Sequence, residues 1–397
     1  MKKLLIIGAS VLQVPAIKRA KELGFYVGVI DYNPNAIGIP LADEYFNVST
    51  IDIEGVSKVA TQFCPDGILT LATDMPMRAI AVACERLGLS GISYDTAIKS
   101  TDKGEMIKAF QECGVEHPWY FILSNPVEVD SILDKISFPC ISKPTDNSGS
   151  RGVMLIHNEK ELRDALVYSS QNGRSGGVIV EEYLEGSEVS VEIITIEGIP
   201  HVLNVTDKLT TGAPHFVEMG HSQPSRIEED NLIKIRDLAC RAVKAVGIQN
   251  GPAHVEIMLT KEGPKMIELG ARMGGDCITT HLVPLSTGID MIEATIRLAC
   301  GEKPNIQKKY DKGSAIRYLK SKNGEILSIE GVDEARQIKN IVEVSLTKSV
   351  GEFVGDIGSS VDRVGFVIAQ GETANIAIET CEKAMRAISI QMSKNEV

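Results

Sequence analysis

The chain has no surplus of positive charge, no cysteine pairing pattern and no long apolar run. Asp and Glu number 53 against 41 Lys and Arg, a formal net charge of −12. That field repels phosphate backbones and excludes general binding to nucleic acid or anionic membranes. Any phosphate ligand must therefore be held by local groups. The eight cysteines stand at 64, 84, 113, 140, 240, 277, 300 and 381, and none has metal-knuckle or redox-pair spacing. Scattered thiols fit a reducing cytosol, and each reads as a small buried hydrophobe. No apolar stretch approaches the roughly 20 residues that span a bilayer. The start, MKKLLIIGAS, looks superficially like a signal peptide, but the apolar run breaks at Gly8 and Pro15 follows. A first buried strand and a cytoplasmic location are expected.

Several chemistries lack their signatures as well. After the first strand only Gly8 of a G-x-G-x-x-G pattern is present, which disfavours an NAD site. Asp31, at the end of the second strand, stands where such folds often hold a ribose, but one acidic residue at a strand end is weak evidence and a plain turn residue explains it better. The P-loop, H-E-x-x-H and G-x-S-x-G are absent. His254-x-Glu256 opens like a zinc deaminase, but no P-C-x-x-C follows. No internal repeat or low-complexity segment appears.

What remains is an ordinary globular composition, 43% hydrophobic and 24% charged over 397 residues, enough for roughly two to four domains. Through about residue 95, short apolar runs (Leu4–Ile7, Tyr26–Ile30, Gly67–Leu71) alternate with helical patterns such as Pro15–Leu23, which implies a parallel α/β sheet covered on both faces. Residues 96–303 read as α+β with antiparallel sheet. Asp102 caps a helix running to Gly114, with Glu105 placed for a capping box. Phe138–Lys143 and Val178–Glu182 are expected strands, and Asn158 caps a helix from Glu159. Glu188–Ile196 with Ile199–Val205 forms one expected hairpin. Ala253–Leu259 with Lys265–Leu269 forms another, turning through Lys261–Pro264. From residue 304 a small α+β region ends in a helix from about Asn375.

Three segments could carry chemistry. Lys143 ends a buried strand before a loop with Thr145, Ser148, Gly149, Ser150 and Gly152, where backbone N–H groups, hydroxyls and an ammonium could cradle an anion; a surface loop explains the same residues. In VIVEEYLEGSEVSVE, a chain reversal at Glu181–Leu184 exposes a donor–acceptor edge that a purine needs, and Glu188 could accept from ribose. An acidic solvated hairpin is the competing explanation. Glu256 and Glu268 lie on opposite arms of one hairpin, which brings their carboxylates nearly opposite one another. Such a pair repels without a cation, and Mg²⁺ would reverse the sign. Arg272 and Gly274–Gly275 follow directly. Glu218 and His221, three apart, could face one cleft.

Taken in order, these segments resemble the ATP-grasp superfamily of carboxylate–amine ligases, most of all its amino-acid-ligase and phosphoribosylglycinamide-synthetase-like branch. The resemblance implies an ATP-grasp fold in three parts: a Rossmann-like pre-ATP-grasp domain at 1–95, a grasp domain at 96–303 with a lid subdomain at about 118–185, and a small C-terminal α+β domain at 304–397. It implies that Lys103 and Lys143 hold ATP phosphates under the loop 147–152, that Glu181 with the backbone of Glu182 and Leu184 takes adenine, and that Glu188 takes ribose. Glu256 and Glu268 match the magnesium ligands, and Arg272 the residue that steadies the transferred phosphoryl group. Glu218, His221, Gly275 and Asp276 match substrate contacts. One position departs from the pattern: many members carry a metal-binding asparagine where this chain has Gly270.

The implied cofactors are ATP and two Mg²⁺, with Mn²⁺ as the alternative ion. The implied reaction joins a small carboxylate, such as an amino acid, to an amine through an acylphosphate, in a cytoplasmic homodimer without nucleic-acid or membrane partners. A purine-pathway ligase joining glycine to a phosphoribosylamine, a catalytically silent nucleotide-binding regulator and an NAD oxidoreductase are the alternatives. The second glutamate and the arginine speak against the regulator, and the missing glycines against the oxidoreductase.

Overall fold

A computed structural model of the chain describes residues 1–147, 149, 151–213 and 216–393. The first apolar runs become strands β1 (Lys3–Ile7), β2 (Tyr26–Ile30), β3 (Glu44–Phe46) and β4 (Gly67–Leu69). They form one sheet in the order β3-β2-β1-β4 with every pairing parallel. Connecting helices cover it, including Val14–Glu22 with proline in its first turn. Asp31 proves to be a turn residue: its buried carboxylate accepts from the N–H groups of Ala9 at 2.8 Å and Asn33 at 2.9 Å.

The next helix, Lys103–Glu112, is capped by Asp102, which accepts from Gly104 and Glu105 N–H. The expected capping box is only half made. Asp102 N–H donates to Ile98 O at 2.9 Å, and the Glu105 carboxylate instead takes Lys108 at 2.8 Å. Strands β5 (Tyr120–Leu123), β6 (Cys140–Pro144), β7 (Met154–Ile156) and β8 (Val178–Glu182) pair antiparallel in the order β5-β8-β6-β7. The strand expected at Phe138–Lys143 begins at Cys140 instead, because Pro139 has no N–H to give a ladder. The helix Glu159–Gln171, with Asn158 as its cap, closes a core of Leu162, Leu166, Ile156, Val178 and Val180 over this sheet.

The largest sheet takes β9 (Ser187–Ile196), β10 (Ile199–Thr210), β11 (Glu218–Gln223), β12 (Gly251–Thr260), β13 (Gly263–Gly270) and β14 (Gly313–Leu319). The β12–β13 turn is tighter than expected, at Lys261–Glu262, with Pro264 already inside β13. Beyond β14 come β15 (Gly324–Glu330), β16 (Ile341–Leu346), β17 (Phe353–Val354), β18 (Gly365–Gly371) and β19 (Ser389–Met392). The sheet order is β13-β12-β9-β10-β11-β14-β18-β16, and β17-β15-β19 form a small separate sheet.

Alternation along β9, β10 and β12 divides that sheet into two faces. Val189, Val191, Val205, Val255 and Ile257 pack on Ile235, Leu238 and Val243 of the helix Glu229–Val246. The register then turns Glu188, Ser190, Glu192, Lys208, His254 and Glu256 to the opposite face. Six buried or half-buried polar side chains sharing one face of a large sheet are not core packing, and they mark where the site lies. Among the described residues, no helix is long and apolar enough to cross a membrane.

Candidate active site

The hairpin β12–β13 places Glu256 directly opposite Glu268, with a register shift immediately after Glu256. The expected repulsion is relieved by cations that belong to the chain. Lys103 Nζ stands 3.1 Å from Glu268 Oε2. Lys208 Nζ stands 3.0 Å from Glu256 Oε1, and His254 Nε2 stands 3.2 Å from the same oxygen. Burial alone would raise the Glu256 carboxyl, but Lys208 and His254 hold it well below the usual carboxylate range. His254 also meets the fully buried Glu192 at 2.8 Å through Nδ1. Burial would lower its imidazole, yet the two glutamates raise it to about 9, so it is an imidazolium at neutral pH. Gly274 is required by this packing, because a Cβ there would come within 2.6 Å of His254 Nδ1.

A cavity of about 170 Å³ opens in front of these groups. Lys103, Lys143, Gly149, Glu181, Glu182, Leu184, Glu188, Glu218, Glu256 and Glu268 all line it, together with Ile141, Met258 and Met266. Helix and strand each set one lysine: Lys103 is the first residue of its helix and Lys143 the penultimate residue of β6. Lys103 Nζ donates to Asn147 O at 2.6 Å, which ties the loop to Glu268. Lys143 forms a buried pair with Glu181 at 2.5 Å. At the chain reversal, Glu182 N–H is taken by Trp119 O at 3.0 Å, whereas Leu184 N–H has no partner among the described residues. The Glu182 carboxylate is held by Lys265 at 3.1 Å. Gly149 and Gly152 have φ of +67° and +80°, conformations that glycine supplies at little cost. Gly152 packs on Pro144 and Asn172, with its carbonyl accepting from Ser169 Oγ. Ser148 and Ser150 lie outside the described residues.

A second cavity of about 320 Å³ shares Lys103, Glu256 and Glu268 with the first and adds Arg272, Asp74, Arg78 and Arg174. Arg272 makes a two-point pair with Asp74, Nε to Oδ1 at 2.9 Å and Nη2 to Oδ2 at 3.0 Å. Arg78 donates through Nε to Thr101 Oγ1 at 2.8 Å. Among the described residues, neither Arg78 nor Arg174 enters an ion pair, unlike Lys103 and Arg272 beside them.

His221, Gly275 and Asp276 line neither cavity. Asp276, at φ +51°, accepts two bonds from Arg363 at 2.7 and 2.9 Å and faces His221 Nε2 at 3.4 Å. Burial acts against its charge, but Arg363 and His221 hold the carboxyl far below its usual range. Arg363 is stacked 3.6 Å over the Tyr318 ring. On a regular strand Glu218 and His221 would point to opposite faces. A register shift opposite Leu209 and Thr210 leaves Met219 extra, so that Glu218 turns to the side of Lys208, 3.7 Å away.

Sequence reading passed over Lys208, Asp74 and Arg363 and set His254 aside. A lysine inside the otherwise strand-like NVTDKLT was the one available signal.

Two Glu carboxylates on adjacent strands suit a hard cation, and Mg²⁺ is usually bound by one or two carboxylates plus substrate phosphates. Among the described residues, no group of three or more His, Cys, Asp and Glu side chains could hold a metal alone. The donor set therefore fits an ion that arrives with phosphates.

Comparison with known proteins places this geometry in context. Residues 136–280 match the model of the ATP-grasp domain, and residues 317–393 match L-amino acid ligase C-terminal domain 2. An alanine–anticapsin ligase of Bacillus subtilis (strain 168) is 30% identical over 271 residues, which cover 62% of this chain and 57% of that enzyme. The chain thus aligns with little more than half of that relative. The fold matches phosphoribosylglycinamide synthetase from Anaerococcus prevotii with a TM-score of 0.81 and 25% identity, over 99% of this chain and 100% of that one. It matches an L-amino acid ligase from Bacillus licheniformis with a TM-score of 0.85 over 99% of each chain; at 23% identity this is a likeness of fold.

Proposed function

The chain belongs to the ATP-grasp superfamily of ligases, and we propose that it is an ATP-dependent carboxylate–amine ligase acting on amino acids or similar small acids. The observation that carries the reading is the meeting of Lys103, Glu256 and Glu268 at the wall common to two cavities, with Lys143 on one side and Arg272 on the other. The smaller cavity carries the two lysines, the Glu181–Leu184 edge and Glu188, a lining that suits a nucleotide. The other has room for the acid and the amine.

In this reading Lys143 and Lys103 hold the phosphates, and Leu184 N–H, which has no partner among the described residues, takes the base with the chain edge at Glu181–Leu184. Glu188 takes the ribose. Glu256 and Glu268 hold magnesium, which neutralises phosphate oxygens when bound. A carboxylate is a poor electrophile because an attacking amine would have to expel oxide. Transfer of the γ-phosphoryl group to the acid gives an acylphosphate with a good leaving group, and Arg272 stabilises the charge that develops in the transfer. The loop 147–152 then keeps water from the intermediate. The amine attacks, and an amide, ADP and phosphate leave. Glu218, His221, Gly275 and Asp276 are carried over as proposed substrate contacts, and of these only Glu218 lines one of the two cavities. A division at about residues 95 and 303, a cytoplasmic setting and a homodimer complete the reading.

A second reading is favoured by Arg78 and Arg174, two guanidinium groups of the larger cavity that enter no ion pair among the described residues. They suit an amine that carries its own phosphate, as a phosphoribosylamine does. One experiment separates the two: a phosphate-release screen of amino-acid pairs and of phosphorylated amines with ATP and Mg²⁺, with products read by mass spectrometry. Amide products from unphosphorylated amino-acid pairs support the first reading. Turnover restricted to phosphorylated amines supports the second, and no turnover with any acid overturns both.

A further inference from the structure

We propose that Arg363 is a positioning residue through which the C-terminal region holds the strained backbone that follows Arg272. Its guanidinium is almost fully buried and donates four hydrogen bonds among the described residues. Two form a fork on the Asp276 carboxylate, Nη1 to Oδ2 at 2.7 Å and Nη2 to Oδ1 at 2.9 Å. Nη1 also reaches Glu218 O at 3.1 Å, and Nε donates to Ser360 O at 2.8 Å. Its flat face lies over the ring of Tyr318 on β14. A lysine could not replace it, since an ammonium offers neither the fork nor the flat face.

What Arg363 grips is a tight turn. Ile278 N–H donates to Gly275 O at 2.9 Å, and the two residues inside, Asp276 and Cys277, have φ of +51° and +61°. A turn with both central residues left-handed is ordinarily filled by Gly, Asn or Asp, so Cys277 is out of place in it. Such backbone persists only where its surroundings hold it. Arg363 supplies that hold through Asp276, and Thr279 Oγ1 adds a bond to Gly274 O at 2.7 Å. The segment is thus pinned at both ends, Arg272 by Asp74 and Asp276 by Arg363, with Gly274 and Gly275 between. The bond to Glu218 O also fixes the start of β11, whose Glu218 lines the nucleotide cavity. Arg363 lies within residues 317–393, so the region matching the L-amino acid ligase C-terminal domain acquires a role at the site.

The proposal rests on the ligase reading for what the held segment does, but one arm of its test needs no turnover. Amide hydrogen exchange is followed by peptide mass spectrometry in the full chain, for wild type, Arg363→Met and Arg363→Lys. Both variants are expected to exchange residues 278–282 about tenfold faster or more, with the helix Glu229–Val246 unchanged. The second arm uses an acid–amine pair found in the phosphate-release screen. There kcat is expected to fall about tenfold or more in both variants while ADP affinity stays within about twofold. Exchange equal to wild type overturns the proposal. So does an unchanged kcat, and so does an ADP affinity that falls together with kcat, which would mark a merely structural role. Should Arg363→Met fail to fold, Arg363→Met with Asp276→Asn removes both charges of the pair. The same outcomes are expected of that double variant, and its failure to fold overturns the proposal. If no pair gives turnover the ligase reading falls, and the exchange arm alone decides whether Arg363 holds the turn.

Discussion

Asp74, from the loop after β4, pairs at two points with Arg272, which lies 198 residues later and just beyond β13. The same carboxylate fills the space in front of Gly270: a Cβ there would come within 2.5 Å of Asp74 Oδ1. Where the resemblance to ATP-grasp ligases leads one to expect a metal-binding asparagine, this chain has a glycine matched by an acid from the loop after β4. Glycine at 270 is what lets the carboxylate approach.

Asp74→Ala removes one partner of a pair whose side chains are 20% and 14% exposed. It is expected to cost about 2 kcal/mol, less than a fully buried pair because water reaches both groups. Arg272 loses its fixed orientation, so turnover should fall more than nucleotide affinity. Gly270→Ala should do the same by pushing Asp74 aside. Urea unfolding and separate measurements of kcat and ADP affinity check both; a loss confined to ADP affinity would contradict the placement of Arg272.

Lys143 is expected to set the ATP requirement, but a simple truncation confounds two effects. Lys143→Ala leaves Glu181 buried without its partner, a change that typically costs about 3–5 kcal/mol in a protein interior. The double change Lys143→Met with Glu181→Gln removes both charges and should be markedly more stable than Lys143→Ala. Its KM for ATP should nevertheless rise by about tenfold or more, the loss of one charge-assisted contact to phosphate. Thermal unfolding together with ATP titration checks it, and an unchanged KM counts against the phosphate role.

Glu268→Gln keeps the shape of the side chain and removes its charge. Lys103 retains its bond to Asn147 O, so the fold should survive. Magnesium-dependent ADP release should fall by a factor of about a hundred or more, as when a charge-stabilising group is taken from a transition state. Retained turnover in a folded chain would remove Glu268 from the metal assignment.

How much of this was legible follows from how local each relationship is. The Glu256–Glu268 pairing sits inside one hairpin, so spacing and turn position were enough to set it opposite. The lysine–loop and purine-edge segments are also contiguous in the chain. Lys208 was not legible as a partner of Glu188, Glu218 and Glu256, because its facing depends on the pairing of four strands and on the irregularity at Met219. Asp74 comes from the loop after β4 and Arg363 from just before β18, 198 and 87 residues away from their partners, and no local pattern carries such a contact. The failed capping box is instructive in a different way. The motif was correct at Asp102, but Ile98 O was the nearer partner for its N–H, and Lys108 one turn on was the better partner for Glu105.

His254 gives the molecule a stability term that varies on the alkaline side. Its imidazole is buried between Glu192 and Glu256 and titrates at about 9, against about 6.5 in an unfolded chain. Because the folded state holds the proton more tightly, the protonated form stabilises folding. That contribution is fully present below about pH 6.5 and is lost as the pH rises through about 9. His254→Gln keeps a side chain able to hydrogen-bond but cannot carry the charge, so it should be less stable than wild type at pH 6. The gap should narrow steadily between pH 7 and pH 9.5 as the wild type loses its proton. Urea unfolding of the two chains at pH 6, 7.5 and 9.5 measures this. A gap that stays constant, or widens with rising pH, would mean that His254 is neutral between the two glutamates and that Glu256 owes its charge to Lys208 alone.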